Sequence, residues 1–217
     1  MKITYRGHAA FVVESGQTTI LIDPFDDQVG YPMDRVPAGF VLVSHEHGDH
    51  NNVALAEGRP RVIRGLVEGK WRTVKETVDG VMLSSVGTYH DDAQGAKRGR
   101  NTVFILEAEG LRVVHLGDLG HPLDDEAAKA IGRPDVLMVP VGGYFTVDAA
   151  QAHAAAARLR PRILIPMHYK TEVNAGWPIA PLDPFLAGVR SPTRVGRTII
   201  VEKATLPRDL EVWVMSW

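Results

Sequence analysis

The stretch VSHEHGDHNN, residues 43–52, constrains this chain more than any other part of its sequence. Three histidines and one aspartate occupy six consecutive positions there: His45, His47, Asp49 and His50. Imidazoles and carboxylates packed this closely repel one another when they carry like charge, and they desolvate at a cost when buried. A bound cation offsets both penalties, so the stretch predicts a metal site in a loop.

This loop directly follows an apolar segment, FVLVS, that has the composition of a buried strand. Open α/β folds place their sites at the carboxyl ends of strands, so further ligands are expected just past other apolar strands. Three side chains satisfy that condition: His90 after MLSSVGTY, Asp118 after VVHLG and His168 after ILIPM. In an extended loop His45 and His47 can turn the same way, with Asp49 and His50 on the other side. One loop can therefore serve two ions, each of which needs at least three protein ligands.

The remaining pattern predicts a layered α/β protein of one domain, residues 1–217. Two helices are expected, one from near Thr146 as N-cap until Pro161 and one from Leu123 until Gly132. Residues 52–79 are ambiguous between a helix and irregular loops. Strands are expected in the first 23 residues, at 40–44, 81–86, 103–107, 112–116, 136–141 and 162–166, and in RTIIVEKA and LEVWVMSW near the end.

A short internal repeat supports two similar halves. In the first, FVVE leads over a turn to ILID, ending at Asp23, and Val41 begins the next apolar run 18 positions later. In the second, FILE leads to HLGD, ending at Asp118, and Val136 begins the next run 18 positions later. The spacing indicates a duplicated sandwich.

Composition excludes several classes of protein. The chain has no cysteine, which rules out disulfides and thiolate metal sites. A net charge of −2 gives no basic field for nucleic acid. No segment has the roughly 18 apolar residues of a membrane span, and the first residues lack a secretory apolar core. A cytoplasmic protein without stable membrane association is expected, and a homo-oligomer is left open.

The order of these residues resembles the metallo-β-lactamase superfamily, whose HxHxDH signature matches residues 45–50. The resemblance extends to about residue 172 and implies an α/β fold, a four-layer αβ/βα sandwich of two duplicated halves. By similarity, one metal would be held by His45, His47 and His90, the other by Asp49, His50 and His168, with Asp118 between them. GDLGH, VLMVPVGGYFT and IPMHY are similar to the small bacterial branch that includes L-ascorbate-6-phosphate lactonase.

The departures from related branches limit what carries over. A B1 β-lactamase uses a cysteine in its second site, and this chain has none. Flavodiiron proteins have a glutamate at the position of His47. Nuclease branches add an arm or a large domain for which this chain has no room. Ascorbate-phosphate lactonases are considerably longer, so their substrate does not carry over.

Other polar residues near the motifs have weaker assignments. His8 ends the first strand and either faces the site or bonds a loop carbonyl. Asp23, before Pro24, is expected to orient the histidine loop from behind. His121 either touches substrate or organises the start of a helix. His115 and His153 are expected to pack in the core or on a helix.

Together these features predict a dinuclear metal-dependent hydrolase of a small-molecule substrate. A metal-bridging hydroxide would cleave an ester, lactone, amide or phosphodiester, with Asp49 as the catalytic carboxylate. Imidazole and carboxylate ligands favour Zn²⁺, with Mn²⁺ or Fe²⁺ as alternatives. The alternative functions are a metal-binding scaffold or sensor without turnover, or a phospholipase acting on N-acylethanolamine phospholipids.

Overall fold

Two β-sheets stacked face to face form the body of the computed structural model, which describes residues 1–32 and 34–217. The strands of the first half are β1 (Lys2–Gly7), β2 (Ala10–Ser15), β3 (Thr18–Ile22), β4 (Val36–Pro37), β5 (Phe40–Val43), β6 (Ala56–Glu57), β7 (Arg61–Arg64), β8 (Leu66–Val67) and β9 (Lys70–Trp71). Those of the second half are β10 (Lys75–Val78), β11 (Val81–Tyr89), β12 (Arg100–Ala108), β13 (Leu111–His115), β14 (Val136–Pro140), β15 (Ile163–Met167), β16 (Thr193–Val195), β17 (Thr198–Ile200) and β18 (Glu211–Met215).

The two sheets repeat one connection pattern. The first sheet has the order β17-β1-β2-β3-β5-β7, and the second has the order β10-β11-β12-β13-β14-β15-β18-β16. In the first, β2 and β3 pair antiparallel and β3, β5 and β7 run parallel. In the second, β12 and β13 pair antiparallel and β13, β14 and β15 run parallel. The repeat seen in the sequence is thus a repeat of topology, and the predicted α/β sandwich of two halves is confirmed.

One apolar cluster fills the space between the sheets. It includes Ile3 and Phe11 from the first sheet and Phe104 and Met138 from the second, none of them exposed. Successive side chains of a strand point to opposite faces, so these residues alternate with others that pack outward. Each fully buried side chain of this size contributes about 1.5–3 kcal/mol. This shared core holds the sheet ends, and the loops that leave them, in one fixed arrangement.

Helices cover the outer face of the second sheet. They are α1 (Asp125–Ile131), α2 (Ala149–Leu159) and the short α3 (Asp183–Leu186). Ala152 and Leu159 of α2 pack with Leu137 and Leu164 of the sheet below. The outer face of the first sheet is covered differently. In the described ranges 1–32 and 34–217, its cover is the β4–β6 ribbon with a 3₁₀ turn at Val53–Leu55.

The predicted start of α2 is wrong by two residues. Thr146 was expected as the N-cap, but its hydroxyl donates to the Val147 carbonyl. The cap is Asp148, whose carboxylate accepts the Gln151 N–H, while the Gln151 side chain accepts the Asp148 N–H. This reciprocal pair satisfies two otherwise unpaired donors, which a threonine hydroxyl cannot do from position 146. α1 begins after Asp124 and ends at Gly132, as expected within two residues.

Two further expectations need correction. Residues 52–79 hold no α-helix, and apart from the 3₁₀ turn they form the short strands β6 to β10. β8 and β9 form one hairpin and β10 pairs with the adjacent β11, whereas β6 and β7 pair with β4 and β5 about 20 residues earlier. Segments of two to four residues are too short to display a period in the sequence. RTIIVEKA was expected as one strand, but β17 ends at Ile200 and a 3₁₀ turn follows at Lys203–Thr205. Within the two described ranges, none of the helices has the length and apolarity needed to cross a bilayer.

Candidate metal centre

The predicted ligands converge at one end of the two sheets. His45, His47, Asp49 and His50 lie in the loop after β5, and the others follow strands of the second sheet. His90 comes after β11, Asp118 after β13 and His168 after β15. Because parallel strands share the edge at which they end, residues more than 100 positions apart become neighbours. All are buried except His47, which is exposed, and Asp49, which is half-buried.

Apart from an overlapping set of Asp23, His45 and His50, the candidate ligand atoms form two groups. In the first, nitrogen atoms of His45, His47 and His90 lie within 4.8 Å of one another. The second group, with the same mutual distance, contains His8, Asp49, His50 and His168. These are the two predicted triads, with His8 added to the second.

Asp118 lies between the two groups. Its Oδ2 is 3.2 Å from the Nε2 atoms of both His90 and His168, 3.3 Å from that of His50 and 3.9 Å from that of His45. One carboxylate oxygen is thus within 4 Å of two nitrogens from each group. Asp118 is therefore the one predicted ligand that adjoins both groups.

The residues fit divalent cations because their polar atoms lack other partners. The buried Nε2 atoms of His45, His50 and His168, and Oδ1 of Asp118, have no hydrogen-bond partner among the described residues. Leaving a buried polar atom unpaired costs about 1–3 kcal/mol. The ligand atoms of the two groups are imidazole nitrogens and carboxylate oxygens, which suit Zn²⁺, Mn²⁺ or Fe²⁺. A metal ion in each group would satisfy atoms that form no hydrogen bond with the residues of ranges 1–32 and 34–217.

Asp23 fixes the proton positions of two of these histidines. Its carboxylate accepts the Ser44 N–H at 2.8 Å, the Ser44 hydroxyl at 2.6 Å and the Nδ1 side of His50 at 3.0 Å. Since the Ser44 hydroxyl donates to Asp23, its oxygen can accept from His45 Nδ1, 2.9 Å away. In the neutral form that binds a metal, both imidazoles then carry their proton on Nδ1 and present a bare Nε2 toward Asp118. Asp23 is thus hydrogen-bonded to Ser44 and His50 of the histidine loop.

The ionised carboxylates among the candidate ligands give this site an excess of negative charge. Burial lowers the pKa of His50, but the carboxylates of Asp118 and Asp49 outweigh it and hold that pKa well above its usual value. Burial raises the pKa of Asp118, yet His168, His50 and His90 together keep it well below the usual range. Two ionised carboxylates without cationic side chains of their own are stabilised by a proton on His50 or by metal ions.

His8 faces the site rather than a loop carbonyl. Its Nε2 lies 3.1 Å from Asp49 Oδ2, and its ring centroid is 4.1 Å from that of His168. Burial lowers the pKa of His8 to about 4, so the ring is neutral at pH 7. The backbone at His8 is left-handed, with φ 53°, as it is at Asp23 and His168. For residues other than glycine this conformation costs energy, and it recurs at sites where geometry is held for function.

The other histidines have structural contacts. His121 accepts the Tyr89 N–H on Nε2 at 3.1 Å, and its Nδ1 lies 2.9 Å from the Pro122 carbonyl, which leaves no free nitrogen for substrate. His115 Nε2 bonds the Ala9 carbonyl at 2.8 Å. His153 stacks on Phe185, with centroids 4.4 Å apart. Of the two roles considered for His121, the structural one is observed.

Two glycines allow the site loops to approach closely. A Cβ at Gly120 would lie 2.2 Å from the carbonyl carbon of His90, and one at Gly142 would lie 2.2 Å from the carbonyl oxygen of His168. No larger residue fits either position without moving backbone. The Gly120 N–H also donates to the Tyr89 carbonyl. These contacts bring two of the ligand loops to the centre.

Sequence reasoning missed the loop after His90. The buried Asp91 accepts four backbone N–H groups, from Ala93, Gly95, Lys97 and Arg98, at 2.7–3.0 Å. Burial raises its pKa, but these N–H groups prevail and lower it to about 2. The segment HDDAQG carries an Asx-turn signal that could have indicated such a loop. By folding over Asp91, the chain brings Arg98 to the edge of the site.

A pocket of about 310 Å³ opens over the metal ligands. Phe145 and Trp177 line it with apolar surface, and nothing local in the sequence marks either of them as a site residue. A larger cavity of about 720 Å³ lies by the turn after β12 and the starts of β14 and β15, at the other end of the sheet. Its lining includes no histidine. The pocket over the candidate metal ligands is therefore the candidate active site because of its chemistry, although the other cavity is larger. The smaller pocket is lined by Asp26, Gln28, Val29, His47, Gly48, Asp49, His90, Arg98, Asp118, Phe145 and Trp177.

Comparison with known proteins agrees with this arrangement. Residues 2–168 match the family described as the beta-lactamase superfamily domain. The chain is 33% identical over 206 residues to a UPF0173 metal-dependent hydrolase of Pyrococcus abyssi, covering 85% of this chain and 89% of the relative. A relative of the same name from Archaeoglobus fulgidus is 33% identical over 208 residues, covering 85% and 87%.

Solved structures give the same result. A candidate zinc-dependent hydrolase of the metallo-β-lactamase superfamily from Thermotoga maritima superposes with a TM-score of 0.80 at 39% identity, covering 99% of this chain and 97% of the other. A candidate metal-dependent hydrolase from Parabacteroides distasonis has a TM-score of 0.65 at 22% identity, covering 97% and 91%, and shows the fold alone. The chain therefore belongs to the metallo-β-lactamase superfamily, among its metal-dependent hydrolases.

Proposed function

We propose that this protein is a dinuclear hydrolase that cleaves an ester, lactone, amide or phosphodiester bond in a small molecule. The observation that carries the proposal is the position of Asp118 Oδ2, within 4 Å of histidine nitrogens from both ligand groups. A purely structural metal site closes around one ion with four ligands, and it has no use for a second group.

The ions are Zn²⁺ by preference, with Mn²⁺ or Fe²⁺ as alternatives. His45, His47 and His90 would hold one ion, and Asp49, His50 and His168 the other, with Asp118 shared. Nitrogen-rich ligand sets suit zinc, and the similar protein from Thermotoga maritima is named for zinc dependence. When bound, two such ions supply a nucleophile at neutral pH and a Lewis acid for the substrate oxygen.

Asp49 is the residue placed to handle the proton. It lines the pocket, and its Oδ2 is 3.1 Å from His8 Nε2. Burial raises its pKa, but His50 and His8 outweigh burial and keep the carboxylate ionised. A neutral His8 donates its Nε2–H to Oδ2 and so leaves Oδ1 free to accept a proton from the attacking water and hold it. Because Asp49 is half-buried rather than sealed, it can pass that proton to a leaving group in the pocket.

The pocket supports a small substrate. At about 310 Å³ it is at the lower end of the range for small-molecule sites. Phe145 and Trp177 give it an apolar wall, which excludes part of the bulk water and strengthens the electrostatic interactions inside. The pocket is too small to hold a phospholipid with several long acyl chains.

Metal stoichiometry tests the dinuclear centre directly. Protein reconstituted with Zn²⁺ or Mn²⁺ is expected to hold about two ions per chain by elemental analysis. One ion or none after saturation would overturn the dinuclear proposal.

Asp49→Glu separates catalysis from metal binding. The substitution keeps the charge and both oxygens but moves them by about one methylene, a displacement that costs about 10²-fold in rate where catalytic geometry matters. At saturating metal, turnover of a responsive ester, lactone or phosphodiester should fall far more than metal content. If metal and activity fall together, Asp49 is a ligand only. Absence of turnover by the parent protein across all these classes would favour the scaffold function.

A further inference from the structure

Arg98 is a cation placed in the pocket without an anion to pair with. It lines the same pocket as His47, Asp49 and Asp118, and it is half-buried. No carboxylate of the described residues 1–32 and 34–217 lies within 4.0 Å of its guanidinium. Asp26 shares the pocket, but its Oδ1 accepts the Gln28 N–H of its own turn.

Two sets of contacts hold Arg98 in place. Its backbone N–H donates to Asp91 Oδ2 at 2.7 Å, within the loop that folds over that buried carboxylate. Its guanidinium carbon lies 5.4 Å from the ring centroid of Phe145 and 5.8 Å from that of Tyr144. Contacts of this kind orient an arginine while leaving its N–H donors open.

The two neighbouring cationic side chains, Lys97 and Arg100, have contacts that differ from those of Arg98. Lys97, one residue earlier, pairs with Asp92 at 2.7 Å and lies outside the pocket. Arg100 donates to the Gly69 carbonyl and lies over Trp71. Arg98 alone of the three combines an orienting backbone contact, an aromatic support and a place beside the metal ligands.

We propose that Arg98 binds an oxyanion of the substrate, a carboxylate or phosphate group, while the bond to be cleaved lies over the metal ligands. This deepens the proposed function and rests on it for the position of the reacting bond. The guanidinium fork matches the paired oxygens of either group. The part of the substrate between the anion and the reacting bond would lie against Phe145 and Trp177, which line the same pocket. The substrate class is thus a small anionic ester, lactone, amide or phosphodiester.

A binding experiment tests this without turnover. Zinc-loaded protein is titrated calorimetrically with succinate, glutarate and adipate, and with the monoamide of each. One carboxylate can bind at the metals, and the other is present only in the diacid. The parent protein should bind at least one diacid about tenfold more tightly than its monoamide, the size of one charge-assisted contact. A matched ω-phosphonocarboxylate shows which oxyanion is preferred.

Two arginine variants and one control complete the design. In Arg98→Gln the ratio between diacid and monoamide should fall to about one, and in Arg98→Lys it should be intermediate, because an ammonium lacks the fork. Lys97→Gln removes the same charge one residue away, outside the pocket, and should keep the parent ratio. Thermal unfolding of each variant verifies that it is folded.

The outcomes separate this proposal from the proposed function. A parent ratio near one, or a ratio in Arg98→Gln equal to that in Lys97→Gln, overturns the role of Arg98 even if the protein is a hydrolase. If the ratio of diacid to monoamide affinity depends on Arg98 but the protein hydrolyses none of the four bond types, the anion site is supported and the hydrolase proposal is refuted. Where turnover is found, Arg98→Gln should raise KM for anionic substrates about tenfold and leave kcat nearly unchanged.

Discussion

Replacing Asp23 with asparagine should weaken both metal sites although Asp23 belongs to neither proposed ligand triad. The substitution keeps side-chain shape and exchanges one carboxylate oxygen for an NH₂ group. Oδ1 can continue to accept the Ser44 N–H, which places the new donor where Oδ2 now receives the Ser44 hydroxyl and His50 Nδ1. An NH₂ group there donates instead of accepting. His50 must then take its proton on Nε2, the atom that faces Asp118.

The same change reaches His45 through Ser44. Once the Ser44 hydroxyl no longer donates to position 23, it is free to donate to His45 Nδ1, 2.9 Å away. His45 would then also carry its proton on Nε2. One ligand of each group thus acquires the wrong tautomer, because His45 belongs to the first group and His50 to the second.

The expected loss follows from the measured importance of such supporting contacts. Removing a partner that orients a metal-bound histidine typically weakens metal binding by about 10–100-fold. We therefore expect each dissociation constant to rise by that factor, about 1.4–2.7 kcal/mol per ion. The unfolding free energy of the metal-free protein should fall by about 1–3 kcal/mol, since Asp23 is fully buried and loses charged hydrogen bonds.

Competition with a chromophoric zinc chelator measures both dissociation constants, and urea unfolding in excess chelator measures the metal-free stability. Asp209→Asn is the matched control, since Asp209 is exposed and the charge change is identical. Should Asp23→Asn bind both ions with the affinity of the control, Asp23 does not set the histidine tautomers. A loss at only one site would show that Ser44 does not relay the change.

Three further substitutions test other parts of the site. Asp118→Asn removes the negative charge between two dications, so elemental analysis should show fewer than two bound ions, hydrolysis should fall by orders of magnitude, and circular dichroism should be unchanged. Gly120→Ala places a methyl group against the backbone of His90 and should lower stability in urea by at least about 1–3 kcal/mol, whereas Gly176→Ala, with open space around it, should cost much less. His121→Ala leaves a backbone N–H without its imidazole acceptor and should cost about 1–3 kcal/mol with unchanged metal content; a loss of bound metal would contradict its structural role.

Local patterns in the sequence were sufficient to predict the candidate ligands and much of the fold. His45 to His50 occupy one short loop, and His90, Asp118 and His168 each follow an apolar run that forms a strand. Both signals lie within about ten consecutive residues. Strand composition and strand-end position depend on neighbours in the chain. They can therefore be recognised without knowing which distant residues each strand contacts.

The tertiary structure decided which distant residues meet at the site. His8 enters the second ligand group because β1 ends beside the loops after β5 and β15, and its carbonyl accepts the His168 N–H. Arg98 and Trp177 reach one pocket from loops almost 80 residues apart. Of the short strands of residues 56–78, β6 and β7 form by pairing with β4 and β5 about 20 residues earlier.

The physical reason is the range of the interactions. Caps, turns and strand periodicity arise from contacts along a few residues, which the sequence displays. The tautomers set by Asp23, the open cation of Arg98 and the closeness permitted by Gly120 arise from packing between separate elements. Those contacts exist only after the two sheets have stacked. The sequence by itself therefore determined which atoms can bind metal, and the stacked sheets decided how they are oriented and what else lies within reach.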